Sequence, residues 1–437
     1  MRNIIKYINA NVLFRVASLN SATIITKITA GILTSKAIAL FIGVEGLALI
    51  GNIRNFVSVG HSFSTLGFYN GLVKTIANVK EDAILLSKTI SSAYYLGFVS
   101  TMLAAFLCYY NAATINDFLF PDTYNYVYVI EILAIALPFY AVNMFCFAIM
   151  NGFSNFRMLL VINIIGQVLG LLITLLLIYQ YNIDGALVAA VVAPSLIFLI
   201  TLVGIINRTS LISQLKVRHI NLDVVKQFLP FSTIAIVTTA GLPMVSIVIR
   251  NYIIDSIGLA EAGYWEAMNR ISDYYLMFVM SIITLYLLPR FSEIKTGTAF
   301  RREVFAFYKT VVPIFCLGLL VLYLFRDIVI RLVFSEDFLP TRELFLWQML
   351  GDLVKVLSVT IAFNFLANRK FLQYIILEVF LLLNMYLSSI FLIDIYGVKG
   401  AVIGHFASYS IYYLVVLILF ATSAVHFAQE PRPEDND

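Results

Sequence analysis

Apolar residues in this chain fall into long blocks separated by short polar stretches. A helix needs roughly 20 residues to cross a ~30 Å hydrocarbon core, and the blocks reach that length. They predict spans near 20–43, 46–69, 89–111, 126–150, 156–179 and 184–206, then 228–254, 262–289, 308–334, 342–367, 371–393 and 398–424. A polar stretch over 207–226 divides the two sets, and Arg326–Asp327 interrupts the ninth block. The expected fold is an all-α polytopic membrane protein of about twelve transmembrane helices. Its domains would be a six-helix lobe over 1–206, a linker over 207–227, a second six-helix lobe over 228–424 and a tail over 425–437.

Composition agrees with that pattern. Charged residues are 12% of the 437 positions and the hydrophobic set is 61%, against roughly 25% and 45–50% in an ordinary soluble domain. The run Ser21–Gly43 follows Arg2, Lys6 and Arg15, as in a signal peptide. It is longer than a signal core and lacks a small-x-small cleavage site, so a retained first span is expected. Cys108, Cys146 and Cys316 all lie inside apolar blocks and read as packing residues, not a disulfide framework. The acidic tail Glu430–Asp437, with two prolines, reads as a disordered end.

Loop charges orient the chain. The termini and the loops on their side hold nineteen Lys and Arg residues, among them Lys74, Lys80, Lys88, Arg157, Arg208, Lys216, Arg218, Lys226, Arg290 and Arg301. The opposite side holds four, Arg326, Arg331, Arg342 and Lys399. Both termini are therefore expected in the cytoplasm. The non-cytoplasmic loops are short, the longest running from about Asn111 to Asn125. That leaves no room for an extramembrane catalytic domain.

The halves resemble each other at a shift of about 215 residues. Tyr181-Asn-Ile-Asp-Gly-Ala-Leu-Val188 opens the sixth block and Tyr396-Gly-Val-Lys-Gly-Ala-Val-Ile403 the twelfth. Ile42-Gly43, Gly46 and Asn52 correspond to Ile257-Gly258, Gly263 and Asn269, with a two-residue insertion. Six spans per half preserve topology. Parallel repeats of this kind belong to rocking, alternating-access transporters with a substrate site between the lobes near the midplane.

Eleven charges lie within the spans: Lys27, Lys36, Arg54, Arg250, Arg270 and Lys355, with Glu131, Glu266, Asp273, Asp352 and Glu378. Each costs roughly 2.5–3.5 kcal/mol at a helix centre on insertion scales, so they are expected to face a polar cavity or one another. Glu131 and Glu266 lie near span ends. Glu266, Arg270 and Asp273 share a helix face and can neutralise one another, as can Asp352 and Lys355. Lys27, Lys36 and Arg54 face only one marginal acid in the first lobe, Glu131. Lys27 and Lys36 are nine residues apart, about 180° around a helix, so one of them is expected to pack against a neighbour or snorkel. A cationic lining favours an anion, and Lys and Arg suit a diphosphate. Asp273, Asp352, Lys355 and Glu378 are candidates for ion coupling, because membrane carboxylates often titrate when desolvated. His61 and His405 within spans read as hydrogen-bonded packing residues. Prolines 138, 194, 243 and 313 lie in spans and are expected to kink them. No glycine-rich phosphate loop, HExxH or triad elbow is present, so no cofactor, metal or nucleic acid is expected.

The stretches Lys27-Ile-Thr-Ala-Gly-Ile-Leu-Thr-Ser-Lys36 and Gly46-Leu-Ala-Leu-Ile-Gly-Asn-Ile-Arg-Asn-Phe56 resemble the opening of Wzx-type flippases. These belong to the multidrug/oligosaccharidyl-lipid/polysaccharide exporter superfamily. The likeness strengthens at Tyr286-Leu-Leu-Pro-Arg-Phe-Ser292. It is closest at Leu332-Val-Phe-Ser-Glu-Asp-Phe338 with Arg342-Glu-Leu-Phe-Leu-Trp-Gln-Met-Leu-Gly-Asp-Leu-Val-Lys-Val356. It runs from about 19 to 425. The resemblance implies a flippase for an undecaprenyl-diphosphate-linked oligosaccharide of the O-antigen or enterobacterial common antigen kind. It also implies two six-helix lobes around a cation-lined cavity and assembly partners such as a polysaccharide polymerase and chain-length proteins. The matching positions are Lys27, Lys36, Arg54, Arg250, Asp273, Asp352 and Lys355. Arg270 departs from the common-antigen pattern, which leaves an O-antigen role open.

Three rivals compete. A drug or small-cation exporter of the same architecture would favour acids and aromatics in its cavity. A membrane-embedded glycan polymerase or ligase would favour a large periplasmic loop. A structural scaffold leaves the intramembrane charges without purpose.

Overall fold

The computed structural model describes residues 12–205, 220–294, 296–368 and 370–427. The terminal segments, most of the expected linker and its Arg208, Lys216 and Arg218 lie outside the described residues. Every regular element among the described residues is helical. In chain order they are α1 (Val12–Phe41), α2 (Val44–Ser64), α3 (Phe68–Val79), α4 (Ala83–Tyr110), α5 (Ala112–Leu119), α6 (Val127–Gly152), α7 (Phe156–Ile205) and α8 (Leu222–Ser256). There follow α9 (Leu259–Ile282), continued through a π turn at Ile283–Leu287 into α10 (Leu288–Glu293), then α11 (Gly297–Leu324) and α12 (Arg326–Val333). A 3-10 turn (Glu336–Glu343) leads to α13 (Phe345–Ala367), α14 (Phe371–Tyr396) and α15 (Val398–Phe427).

Ten of the described helical stretches are long and apolar enough to cross a membrane. One of them, Phe156–Gly204, has 49 residues. As continuous helix it would be more than twice as long as a hydrocarbon core is thick. It breaks at Asn182, whose φ of 50° and ψ of −122° are not helical, so it makes two passes. The 21-residue α2, which carries Glu45, Arg54 and His61, is less apolar but long enough to cross; counted with the others it gives the twelve expected. The chain is a multi-span membrane protein.

The internal repeat is also present in the backbone. Asn182 and Gly397, 215 positions apart, both adopt positive φ, 50° and 63°. Gly43 and Gly258, equally spaced, do so at 88° and 145°. Around the second pair the same hydrogen bonds recur: Ile42 and Gly43 donate to the Ile38 carbonyl, and Ile257 and Gly258 to that of Ile253. Gly185 and Gly400 also share one constraint. A Cβ there would lie 1.9 Å from the Leu177 carbonyl oxygen and 2.0 Å from that of Leu392. Only glycine fits so close an approach.

Several boundaries differ from the hydropathy reading. The second span ends at Ser64, because Leu66 and Gly67 take positive φ (50° and 61°) and turn the chain into α3. That helix is amphipathic: Phe68, Leu72 and Ile76 are buried, while Lys74 is exposed. The ninth span runs from Gly297 to Leu324, capped at its start by the Thr296 hydroxyl accepting from Ala299 N. Arg326–Asp327 begins the separate α12, so these two charges lie beyond the span instead of inside it. The helix of the seventh expected span, α8, begins at Leu222, within the stretch expected to be linker.

Packing separates the chain into two compact units, one of Met1–Asn251 with Val333–Ser335 and one of Tyr252–Leu332 with Glu336–Asp437. In the first, Phe68, Leu72 and Ile76 of α3 meet Leu86 and Ile90 of α4, Ala141 and Phe145 of α6, and Phe228 of α8. In the second, α15 packs along both α13 and α14, while α9 lies against α13. Those four helices build the charged cluster described next.

Candidate functional site

On α13, Gln348, Asp352 and Lys355 are spaced four and three residues apart and so share one helix face. Opposite lies a stripe of His405, Tyr409 and Tyr412 on α15, with the same spacing. The helices approach closely because residue 351 is glycine; a Cβ there would lie 2.3 Å from His405 Cδ2. From α9 come Ser272 and Tyr275, and from α14 Tyr374 and Glu378.

Asp352 is fully buried, and side chains from three helices meet its carboxylate. The hydroxyls of Ser272 and Tyr275 both donate to Oδ2. His405 Nε2 lies 3.0 Å from Oδ1. The Gln348 amide is 3.4 Å from Oδ1 and 3.5 Å from Oδ2. A buried carboxylate met by so many donors retains its charge at far lower cost than an unpaired one. Lys355 does not close an ion pair with Asp352. Its ammonium stands over the Tyr409 ring, 5.5 Å from the centroid, a cation–π arrangement, within coulombic reach of Asp352 and Asp273. Glu378, 9% exposed, accepts from the Tyr412 hydroxyl at 3.5 Å. Asp273 is exposed. The structure thus brings Asp352, Lys355 and Glu378 into one polar layer of the second unit.

His405, read from the sequence as a hydrogen-bonded packing residue, is a member of this cluster whose neighbours the sequence did not reveal. Its partner lies 53 positions away on another helix, and no local spacing reveals the pair. The signal available was a histidine within an apolar span, preceded by a glycine, facing another span that carries a carboxylate.

Arg270 pairs with Glu266 at 2.9 Å, one turn away on α9, and both are buried. Of the two roles open to Glu266–Arg270 in the sequence, this is the pairing geometry.

In the first unit the cations divide into two kinds. Arg250 is 1% exposed, and its Nη1 donates to Asn52 Oδ1 at 2.7 Å. Asn52 Nδ2 in turn donates to the Leu119 carbonyl and to Asn251 Oδ1, at 2.6 and 2.8 Å. Asn251 Nδ2 donates to the Phe118 carbonyl at 2.7 Å. This network ties α2, α5 and α8 together. Lys36 is half-buried and donates to the Phe334 carbonyl.

Lys27 and Arg54 differ. Both side chains are exposed, and among the described residues neither makes a hydrogen bond or an ion pair. Each lies well inside a spanning helix, Lys27 in α1 and Arg54 in α2. Facing lipid, each would be strongly unfavourable; facing water or a ligand, each is a ready anion contact.

The remaining candidates take structural places. His61 stacks on Tyr140 with ring centroids 3.4 Å apart and planes 6° apart. Glu131 is half-buried near the start of α6. The three cysteines are free thiols. Among the described residues no group of three or more His, Cys, Asp or Glu side chains is arranged to hold a metal.

A family model described as polysaccharide biosynthesis protein matches residues 37–343. Two proteins named lipid III flippase, from Escherichia coli (strain K12) and Shigella flexneri, are each 29% identical over 396 residues, spanning 90% of this chain and 94% of the relative. Among solved structures, an inward-facing multidrug resistance MATE family transporter of the MOP superfamily superposes with a TM-score of 0.72 at 14% identity, covering 93% of this chain and 96% of that one. The lipid II flippase MurJ, in an inward closed conformation, superposes with a TM-score of 0.70 at 17% identity, covering 96% and 91%. At such identities the likeness is one of fold: this chain has the architecture of these transporters.

Proposed function

This chain belongs to the polysaccharide biosynthesis protein family, and on that premise we propose that it is a flippase for an undecaprenyl-diphosphate-linked oligosaccharide. It carries the unit from the cytoplasmic to the periplasmic leaflet of the bacterial inner membrane by alternating access. The observation that carries this reading is the pair Lys27 and Arg54, exposed at membrane depth without a partner among the described residues. A diphosphate crossing the core needs charge compensation, and these side chains offer it without first breaking a contact of their own.

The two relatives named lipid III flippase support a lipid-linked cargo, of the common-antigen or O-antigen kind. The chain acts as a transporter, not as an enzyme. Its functional halves are 1–206 and 228–424, joined by 207–227, with both termini in the cytoplasm. The polyprenyl tail stays in lipid while the sugars and diphosphate travel with the protein. Lys36, Arg250 and Arg270 assist the anion after exchanging the partners they hold here. Asp273, Asp352, Lys355 and Glu378 supply ion coupling. A polysaccharide polymerase and chain-length proteins act next to it.

The test is to replace Lys27 or Arg54 with Ala in cells whose surface glycan depends on this protein. Surface glycan should be lost while membrane abundance and detergent-extracted stability stay at wild-type levels. Normal surface glycan in both variants would remove the basis of the assignment.

A further inference from the structure

One end of the first unit, the end that the reading above places in the periplasm, carries an aromatic cluster that none of the roles above employs. Tyr124, Tyr126 and Tyr128 occupy alternate positions where the loop after α5 runs into α6. Tyr126 is 7% exposed and forms the centre of the cluster. Tyr124 stacks on it, with centroids 5.9 Å apart and planes 16° apart. Phe120 and Tyr128 meet it nearly edge-on, at 5.1 and 6.5 Å. The loop is pinned from inside. Buried Asn116 donates to the Tyr124 carbonyl at 3.2 Å and accepts from Tyr126 N at 2.7 Å, and Tyr124 N donates to the Pro121 carbonyl. A half-buried Tyr124 and an exposed Tyr128 are thus held in place before any ligand arrives.

Polar groups border the rings. The Tyr128 hydroxyl donates to Asp184, which lies between the break at Asn182 and the closely packed Gly185. Asp184 is exposed, as is Asn125. Over 111–131 and 179–185 the chain has Asp117, Asp122, Glu131 and Asp184 and no Lys or Arg, so a phosphate would be repelled here.

Neither of the structural roles open to such tyrosines accounts for them. A tyrosine of a membrane-interface belt lays its ring toward lipid and its hydroxyl toward the headgroups. Here Tyr126 is buried and the Tyr128 hydroxyl is committed to a carboxylate. Nor does this corner of the fold require phenols. The repeat builds it again in the second unit, where Glu343 and Lys399, each 215 positions on from Tyr128 and Asp184, pair at 2.7 Å. At the positions matching Tyr124 and Tyr126 stand Leu339 and Thr341. The link between the elements recurs; the rings do not.

A rigid ring beside a carboxylate and an amide suits a sugar. The C–H groups on one face of a pyranose lie against the negative face of an aromatic ring, and its hydroxyls need acceptors and donors at the edge. We propose that this cluster is a glycan-binding platform for an uncharged sugar residue of the cargo. Tyr124 and Tyr128 take its C–H face, Asp184 accepts from its hydroxyls and the Asn125 amide donates to them. This rests on the flippase reading above. The platform holds sugar and rejects the diphosphate, so it receives a different part of the cargo from Lys27 and Arg54.

The experiment uses the purified full chain in lipid nanodiscs. The probe is the lipid-free oligosaccharide released by mild acid from the lipid-linked glycan of the source cells. Saturation-transfer NMR reads which sugar protons touch the protein, and a titration gives Kd. In wild type the C–H protons of one sugar residue should saturate most strongly. Tyr124→Leu, which installs the residue found at the matching position of the second unit, should weaken binding about three- to tenfold, and Tyr124→Phe should restore it. Asp184→Asn should weaken it about threefold; this variant still accepts from Tyr128, and it decides the matter if Tyr124→Leu does not fold. Inorganic pyrophosphate should leave the bound sugar in place. Tyr124→Leu and Asp184→Asn variants that bind like wild type overturn the proposal and leave the tyrosines as anchors at the membrane surface. Displacement by pyrophosphate overturns it as well. A chain that flips the lipid-linked glycan but never saturates the free oligosaccharide sinks the platform alone. A chain that binds it through Tyr124 yet flips nothing sinks the flippase reading alone.

Discussion

Replacing Glu266 by Gln should be among the most destabilising single changes in the second unit, and replacing Arg270 as well should reverse most of the damage. The side chains of Arg270 and Glu266 are 4% and 9% exposed, with 2.9 Å between Arg270 Nε and Glu266 Oε1. Removing one partner of such a pair leaves a buried charge uncompensated, at a cost of about 3–5 kcal/mol. Replacing both by apolar or neutral groups of similar size is often neutral. At about 2 °C per kcal/mol for a large chain, Glu266→Gln should lower the apparent midpoint by roughly 6–10 °C. Glu266→Gln combined with Arg270→Met should recover most of that loss.

The assay is thermal unfolding of detergent-purified protein, followed by the loss of the monodisperse peak in size-exclusion chromatography. The same variants carry a functional readout. If Arg270 grips the diphosphate, the double variant is stable but exports no glycan; if Arg270 only packs, it is stable and exports normally. A double variant no more stable than Glu266→Gln alone would refute the reasoning, because the two losses would then be independent.

Gly185→Ala and Gly400→Ala should each destabilise the fold by about 1–3 kcal/mol or more, since a Cβ would fall 1.9 and 2.0 Å from a carbonyl oxygen; matched losses in midpoint at both sites check the repeat. Asn182→Gly should be tolerated or raise the midpoint slightly, because Asn182 holds a positive φ of 50° that costs an L-residue roughly 1–2 kcal/mol. Lys399 donates to Glu343 at 2.7 Å, and this hydrogen bond together with its positive charge holds the Glu343 carboxyl below its usual range. The resulting stability is full at neutral pH and disappears as the pH falls through the lowered folded value. For so exposed a pair it amounts to under about 1 kcal/mol. Lys399→Ala should remove that small acid-dependent increment from midpoints measured between about pH 7 and 3.

The spans are legible in the sequence because a bilayer imposes a length that few other environments impose, and blocks such as 89–111 satisfy it without an interrupting charge. The repeat is legible because the turn before each sixth helix demands positive φ and a close glycine, which restricts residue choice at 182, 185, 397 and 400. The amphipathic α3 escapes a hydropathy reading, since half of it is polar; Phe68, Leu72 and Ile76 at four-residue spacing carry its signal. The start of α11 escapes for a similar reason. Arg301, Arg302 and Glu303 lower the hydropathy of a stretch that is helical from Gly297. At the candidate site, helix-face spacing identifies Gln348, Asp352 and Lys355 as neighbours. It does not reveal that Asp352 turns to Ser272, Tyr275 and His405 while Lys355 turns to Tyr409. Those choices depend on how close α13 and α15 approach at Gly351, which only tertiary packing decides.

The most direct test of the central claim is the sidedness of the lipid-linked glycan in cells lacking this protein, read with a membrane-impermeant probe on vesicles of known orientation. The account predicts that intact undecaprenyl-diphosphate-linked units accumulate on the cytoplasmic face, and that restoring the wild-type chain, but not Arg54→Ala, returns them to the periplasmic face. Units that reach the periplasmic face without the protein and merely fail to be polymerised or transferred would contradict it.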